Sequence, residues 1–212
     1  MSTARERILR DLHIALKRGP LAAEQRTALD AERPAHIRPA FDEDLIARFV
    51  RKFESRSGTV ARVATLAEVP EAVEQYRTAK GLPPRAAIGA ALAGLAWPQE
   101  WAIHHGAAAI DETLALSRAE TGVAETGSLM LCSGPESPTT HNFVPDDHVV
   151  VLEAAKVVRH FEDAWVVLRQ RPGGIPRATN FVSGPSRTAD VEQTIQLGAH
   201  GPRRVHVILV GG

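Results

Sequence analysis

The chain has 212 residues, 44% of them hydrophobic and 24% charged, with 25 Lys and Arg against 25 Asp and Glu. That length and mixture suit one large globular domain with a real core and exclude a disordered chain. The balanced charge gives no basic excess for nucleic acid, no apolar run approaches the roughly 20 residues of a membrane span, and a single cysteine excludes an internal disulfide.

Thr3 and Glu6 have capping-box spacing ahead of Ile8, Leu9, Leu12 and Leu16, so the first segment is expected to be an amphipathic helix. Its charges recur every few residues, unlike a secretory leader, and a cytoplasmic location is the expectation. Lys17-Arg18-Gly19-Pro20 stops it. Residues 20–40 contain Pro34 and Pro39, lack periodicity and read as an extended connector. The expected organisation is therefore an N-terminal helix and connector over 1–40 and a main domain over 41–212.

Asp42 is the expected cap of the next helix, with Leu45, Ile46, Phe49, Val50 and Phe53 as its apolar stripe. Gly58 leads into an alternating strand, and residues 66–80 read as a helix with Pro70 in its first turn and Gly81 at its end. Residues 85–92 read as a buried strand. From 93 to 119 the pattern is ambiguous, with Trp97 and Trp101 as core or interface and 111–116 fitting a short helix or a strand.

Residues 129–131 read as a strand, and 148–152 as a strand of nearly pure valine. A long helix over 153–170 is expected to turn Val157, Val158, Phe161, Trp165 and Leu168 inward. A strand at 179–182, a helix at 188–197 and a strand at 205–210 then follow the plan of a parallel βαβ unit. Near-continuous apolar strands alternating with helices imply a parallel sheet covered on both faces. The expected class is α/β, a three-layer Rossmann-like and mostly parallel sheet with an N-terminal helical arm. The strands near 129, 150, 180 and 207 would share that sheet.

Ligands of open parallel sheets bind beyond the carboxyl ends of the strands. The loop after Val182 suits such a place. Gly184 permits close backbone approach, Ser186 and Thr188 offer hydroxyls, Arg187 offers a planar fork for carboxylate or phosphate, and Asp190 falls in the first turn of the expected helix. The plainer alternative is that Ser186 or Thr188 caps the helix and Arg187 pairs with a nearby acid. The run lacks the second glycine of a nucleophile elbow, so a serine hydrolase is rejected.

Glu125 lies in a glycine-bracketed loop ahead of a strand, with Thr126, Gly127 and Ser128 as adjacent donors. A carboxylate there serves as base, nucleophile or partner of Arg187, or it only fixes the turn as an ion pair or backbone acceptor. The repeated Ala-Glu-Thr-Gly at 119–122 and 124–127 puts Glu120 and Glu125 in one loop. His200 is the best ligand candidate among nine histidines, against a turn histidine bonded to backbone. No H-x-x-x-H spacing occurs, so no metal site is expected. One cysteine cannot supply the roughly four thiolates of an iron–sulfur cluster, and Cys132 is expected to be a buried filler. Neither a G-x-G-x-x-G fingerprint nor a P-loop is present.

Ser183 to Glu192, SGPSRTADVE, followed by Gly198-Ala199-His200-Gly201-Pro202, resembles the C-terminal signature of the LUD-domain family, the lactate-utilisation protein C group. Val123 to Leu129, VAETGSL, resembles that family's other motif. The two stand in the family's order, and the resemblance covers residues 40–212. It implies a fold similar to ribose-phosphate isomerases and CoA transferases, singles out the 183–190 loop, and adds Glu120 as a second carboxylate candidate. Where the family often shows a basic residue, within 137–145, this chain offers only His141.

The function that the resemblance implies is an accessory protein of lactate utilisation. It would act beside iron–sulfur partner subunits that oxidise L-lactate to pyruvate, bind a small carboxylate or phosphate, and carry no cofactor itself. Homo-oligomerisation stays open. The rival expectation is a free-standing CoA-transferase-like or sugar-phosphate-isomerase-like enzyme that uses Glu125, with the 183–190 loop holding an anion.

Overall fold

The computed structural model describes residues 3–17, 19–32, 37–188 and 196–212. The chain forms two units, Met1–Arg38 and Pro39–Gly212. The first holds α1 (Ala4–Leu16) and α2 (Ala23–Ala31). Thr3 Oγ1 accepts from the Glu6 N–H at 3.3 Å and the Glu6 carboxylate accepts from the Thr3 N–H at 2.7 Å, which is the expected capping box. α2 replaces the expected extended connector. Its Ala, Glu, Gln, Arg and Leu residues are good helix formers, but nine residues are too few to display a period.

The second unit contains α3 (Leu45–Glu54), α4 (Val69–Lys80) and α5 (Phe161–Gln170). Its strands in chain order are β1 (Thr59–Val63), β2 (Arg85–Ile88), β3 (Ala102–His104), β4 (Leu114–Arg118), β5 (Thr121–Val123) and β6 (Ser128–Cys132), followed by β7 (Asp147–Glu153), β8 (Val157–Val158), β9 (Thr179–Val182), β10 (Arg187–Thr188), β11 (Gln196–Leu197) and β12 (Arg204–Val210). Six of them form a sheet in the order β1-β12-β7-β4-β2-β3, and every pair in it is parallel. The architecture is α/β with a mostly parallel central sheet.

Alternation along the strands sorts the core into layers. Val149, Val151 and Ile208 face Val69 and Val73 of α4. Val150, Leu152, Val207 and Leu209 face the other way, toward Phe49 and Phe53 of α3 and Leu129 and Leu131 of β6. α3 starts at Asp44 rather than Asp42, because Asp44 Oδ1 accepts from the Ala47 N–H at 2.8 Å. α4 ends at Gly81 with φ +66, as the glycine implies.

Three further expectations need correction. The strands near 150 and 207 are parallel neighbours, but those near 129 and 180 leave for a second sheet in the order β8-β5-β6-β9. There β6 and β9 run antiparallel, with Leu129 opposite Val182. This small sheet is sandwiched between the large sheet and Ala164 and Leu168 of α5, so its strands are as apolar as parallel ones. An apolar run reports burial on both faces, not direction or sheet membership.

Residues 153–170 are not one helix. A single turn at Ala154–Lys156 leads into β8, whose β-branched Val157 and Val158 pair with Gly122 and Val123, and α5 begins afresh after His160. Nor does a helix span 188–197 at its ends, because Arg187 and Thr188 pair antiparallel with Leu197 and Gln196. Residues 189–195 lie outside the described residues. β9 and β12 belong to different sheets, so no βαβ unit joins them.

The ambiguous stretch resolves into β3, β4 and core. Trp101 is buried and donates from Nε1 to Glu74 at 2.8 Å, and Trp97 donates to the Leu92 carbonyl at 3.0 Å. Among the described residues no helix is long and apolar enough to cross a membrane.

Candidate functional site

From β2 the chain continues outward to the edge strand β3, whereas from β4 it continues toward β7 on the other side. The carboxyl ends of β2 and β4 therefore flank a topological switch point, the place where open parallel sheets hold ligands. A cavity of about 160 Å³ lies there, lined by Ala91, Arg118, Ala119, Glu120, Cys132, Glu136, Ser137, Lys156 and Arg171.

The sheet sets each charged group in place. Arg118 ends β4 and Glu153 ends the neighbouring β7, so the guanidinium meets the carboxylate through Nη2 and, at 3.2 Å, through Nε. Lys156 Nζ lies 3.3 Å from the same oxygen. Arg118, with Lys156 adding to it, holds the Glu153 carboxyl below the usual carboxylate range against the opposing effect of burial. Arg171, just past α5, donates from Nε to Glu120 at 3.1 Å. The Thr121 hydroxyl donates to the Lys156 carbonyl and fixes that turn.

Gly89 follows β2, and a Cβ there would stand 2.6 Å from the Glu136 carbonyl oxygen. The missing side chain lets the 133–138 turn, closed by a Gly134–Ser137 bridge, lie against the end of β2. Burial, with the Glu120 charge adding to it, pushes the Cys132 thiol up, so it stays protonated and is a filler rather than a nucleophile. Arg118, Lys156 and Arg171 are 31%, 39% and 29% exposed, which leaves them reachable from solvent while anchored. Each is already paired, Arg118 and Lys156 with Glu153 and Arg171 with Glu120, so a small anion entering here would share these cations with the two carboxylates.

Larger cavities lie elsewhere. One of about 430 Å³ sits beside β1 and α4, and one of about 300 Å³ sits at the amino end of β2. Most of their polar groups are already matched: the Tyr76 hydroxyl is on Asp147, His206 Nδ1 lies 2.8 Å from the Thr59 hydroxyl, and His104 lies 2.5 Å from Glu112, while Arg62 at the larger one meets no acidic partner among the described residues. Size alone does not make them the better site.

Of the catalytic and ligand-binding candidates taken from the sequence, only Glu120 lines this crevice. Glu125 does not share a loop with it, because β5 intervenes and puts them at opposite ends of a strand. The Glu125 carboxylate accepts from the Phe161 N–H at 3.2 Å and lies 3.3 Å from His160 Nδ1, so it anchors the start of α5. Gly127 has φ +67, and a Cβ there would meet the Phe53 nitrogen at 2.5 Å, so the hairpin presses on α3.

The antiparallel pairing does bring the 124–128 and 183–187 loops together. Ser128 Oγ lies 2.7 Å from Thr126 Oγ1 and 2.6 Å from Ser183 Oγ. Several polar groups of these loops bond within the protein, although Arg187 spends only part of its guanidinium fork and meets no carboxylate among the described residues. Arg187 donates to the Ser57 hydroxyl at 2.8 Å, and a Cβ on Gly184 would meet the Arg56 carbonyl at 2.6 Å. Ser186 donates its N–H to the Pro202 carbonyl and accepts from the Gly198 N–H, both at 3.0 Å. His200 is exposed, with its backbone N–H 3.4 Å from Ser186 Oγ. Thr188 stands in β10 rather than at a helix start, and Asp190 lies outside the described residues.

His141, the only basic group of its segment, is fully buried, and burial lowers its pKa, so it supplies no charge. Among the described residues no group of three or more His, Cys, Asp or Glu could hold a metal ion. Arg118, Lys156, Arg171 and Gly89 went unnoticed because they come from separate elements and form no spaced motif. The one available signal was a charged residue closing two of the apolar runs, at Arg118 and Glu153.

Comparison with known proteins adds the family. The LUD domain model matches residues 46–210. An uncharacterised protein of Neisseria meningitidis serogroup B is 38% identical over 94 residues, which are 44% of this chain and 40% of that protein. Lactate utilization protein C of Geobacillus kaustophilus is 28% identical over 106 residues, 49% of this chain and 44% of the relative. Lactate utilization protein C of an Exiguobacterium species is 30% identical over 105 residues, 48% and 46% of the two chains. The matches thus span less than half of these relatives. A DUF162 family protein of Deinococcus radiodurans, known from a crystal structure, shares the fold with a TM-score of 0.59 and 18% identity, over 82% of this chain and 100% of that one.

Proposed function

The chain belongs to the LUD-domain family, and from that premise we propose that it serves lactate utilisation as an accessory subunit whose β2–β4 crevice holds a small carboxylate. The observation that carries this reading is the convergence of Arg118, Lys156 and Arg171 at the switch point of the sheet. The two relatives named lactate utilization protein C support the pathway. The cavity of about 160 Å³ is well under the roughly 300–1,000 Å³ of pockets for drug-sized ligands, so a three-carbon acid suits it better than a CoA ester.

Oxidation of a 2-hydroxy acid to a 2-oxo acid releases two electrons and two protons, and the electrons need a carrier. With one cysteine in the chain, that carrier would be an iron–sulfur partner subunit, and the chain's own part would be to bind and orient the acid. The free-standing enzyme reading loses ground because the Glu125 carboxylate is spent on the start of α5.

Isothermal titration with lactate, pyruvate, phosphate and acetyl-CoA tests this reading. Lactate or pyruvate should bind, and Arg171→Ala or Arg118→Ala should weaken that binding by roughly 10- to 100-fold, the range for a charge-assisted hydrogen bond. Binding of neither acid, or binding indifferent to both substitutions, would refute it.

A further inference from the structure

We propose that the outer edge of β9, together with the aromatic stripe of α5 beside it, is a docking surface for an extended segment of a partner protein, apolar along its length and acidic at one end. The inference does not depend on the ligand of the crevice.

The four outer strands of the two sheets are not guarded alike. β1 carries the exposed Arg62, β3 is three residues long with His104 bonded to Glu112 beside it, and β8 has two residues. β9 reads Thr179-Asn180-Phe181-Val182, without charge, proline or glycine, and every residue of it is partly exposed. Among the described residues its partner in the sheet is β6 alone. Folded proteins blunt their edges with charge, proline or shortness, and an edge without these devices is a template for another strand. Added strands gain affinity from main-chain hydrogen bonds and specificity from contacts of alternate side chains.

Beside that edge lies an aromatic cluster. The Phe181 ring centroid is 4.2 Å from that of Phe161 and 5.4 Å from that of Trp165. Trp165 is 38% exposed and Val166 44%, high values for large apolar groups that ordinarily seek a core. Arg169, one helical turn beyond Trp165, and Arg177, two residues before β9, are exposed and have no acidic partner among the described residues, whereas Arg171 between them is paired with Glu120. Tryptophan and arginine together are the residues enriched at the energetic centres of interfaces.

The charges choose the occupant. Cations without an acidic partner among the described residues stand at the end of α5 that adjoins the start of β9, and Glu162 stands at the other end of the helix. The docked segment therefore places its carboxylates beside Arg169 and Arg177 and its apolar residues along β9 and Trp165.

Fluorescence polarisation with labelled peptides tests this. The probes are octapeptides of alternating valine and threonine carrying two glutamates at the amino or at the carboxyl terminus, their lysine counterparts, and a version broken by a central proline. One of the two glutamate peptides should bind, the lysine and proline peptides should not, and Trp165→Ala and Arg169→Glu should each weaken binding at least tenfold. Both altered residues are exposed, and a thermal melt confirms that the variants fold. No binding by either glutamate peptide, equal binding by the lysine peptide, or binding untouched by both substitutions overturns the proposal. So does sedimentation showing a dimer that Trp165→Ala dissociates, since the occupant would then be a second copy of this chain.

Discussion

Tyr76 donates its hydroxyl hydrogen to Asp147 at 2.6 Å, tying α4 to the first residue of the central strand β7 across 71 positions of sequence. Arg204, the first residue of β12, grips the same carboxylate with Nε and Nη2, each at 2.6 Å. Asp147 is fully buried and Arg204 is 44% exposed, so the pair is bidentate and only partly screened. This bolt sits at the amino ends of the strands, opposite the crevice. The bolt and the proposed ligand crevice thus occupy different ends of one sheet.

Tyr76→Phe should lower unfolding stability by about 1.5–3 kcal/mol, the range for a hydrogen bond to a charged group. Asp147→Ala should cost at least about 3 kcal/mol, the lower end for breaking a buried pair, because Arg204 can turn partly to water. Urea denaturation measures both. A Tyr76→Phe variant as stable as the parent would show that the bond contributes nothing.

Stability should fall as the solution is acidified below pH 6.5. Burial, with Lys80 adding to it, pushes the His206 pKa down to about 4, and burial pushes that of His148 to about 3. Below 6.5 the unfolded chain binds protons at these positions and the folded chain does not, so unfolding gains as pH drops from 6.5 toward 4. Each site contributes up to about 1.4 kcal/mol per pH unit within that window and nothing above it. Melting temperatures from pH 7.5 to 4.5 should show this slope, and His206→Phe should flatten it. A slope unchanged by that substitution would assign the acid sensitivity elsewhere.

Glu125 and Arg171 should part company when mutated. Glu125→Ala should destabilise the fold by about 1–2 kcal/mol, as loss of a helix cap does, and leave acid binding in the crevice intact. Glu125→Gln should keep most of that stability, since an amide oxygen still accepts from the Phe161 N–H. Arg171→Ala should cost less than about 1 kcal/mol of stability while weakening the ligand. Thermal melts and titrations on the same preparations separate the two effects. Weakened ligand binding by a fully stable Glu125→Gln would return Glu125 to the site.

Gly89→Ala should damage the crevice more than a methyl group suggests. Its Cβ would stand 2.6 Å from the Glu136 carbonyl oxygen, so the 133–138 turn must move outward. Titration should show weaker acid binding with α4 and the Tyr76 bolt untouched, the latter reported by an unchanged response to urea. Binding equal to the parent would mean that the turn does not shape the cavity.

Much of the main unit was legible in the amino-acid order. Phe49 and Phe53 of α3, the glycine stop of α4 at Gly81 and the valine run of β7 follow from local rules of period, cap and apolar length, which act within a few residues. The two family motifs were legible as well, since both are continuous in the chain. The nine-residue α2 was missed because a helix so short shows no period.

The site was not legible, for a different reason. The chain itself determined that two buried strands, β4 and β7, end in the charged residues Arg118 and Glu153, because burial stops there where solvent begins. Only the tertiary structure decided which strands are neighbours, and therefore that Arg118 meets Glu153 across 35 positions and Arg171 meets Glu120 across 51. It also decided that β6 and β9 run antiparallel in a second sheet, which carries Glu125 to the far end of β5 from Glu120. Hydrophobic burial is non-directional, so an apolar run dictates that a strand be covered on both faces but not which strand it pairs with. That choice belongs to backbone hydrogen bonds and side-chain packing formed between distant segments.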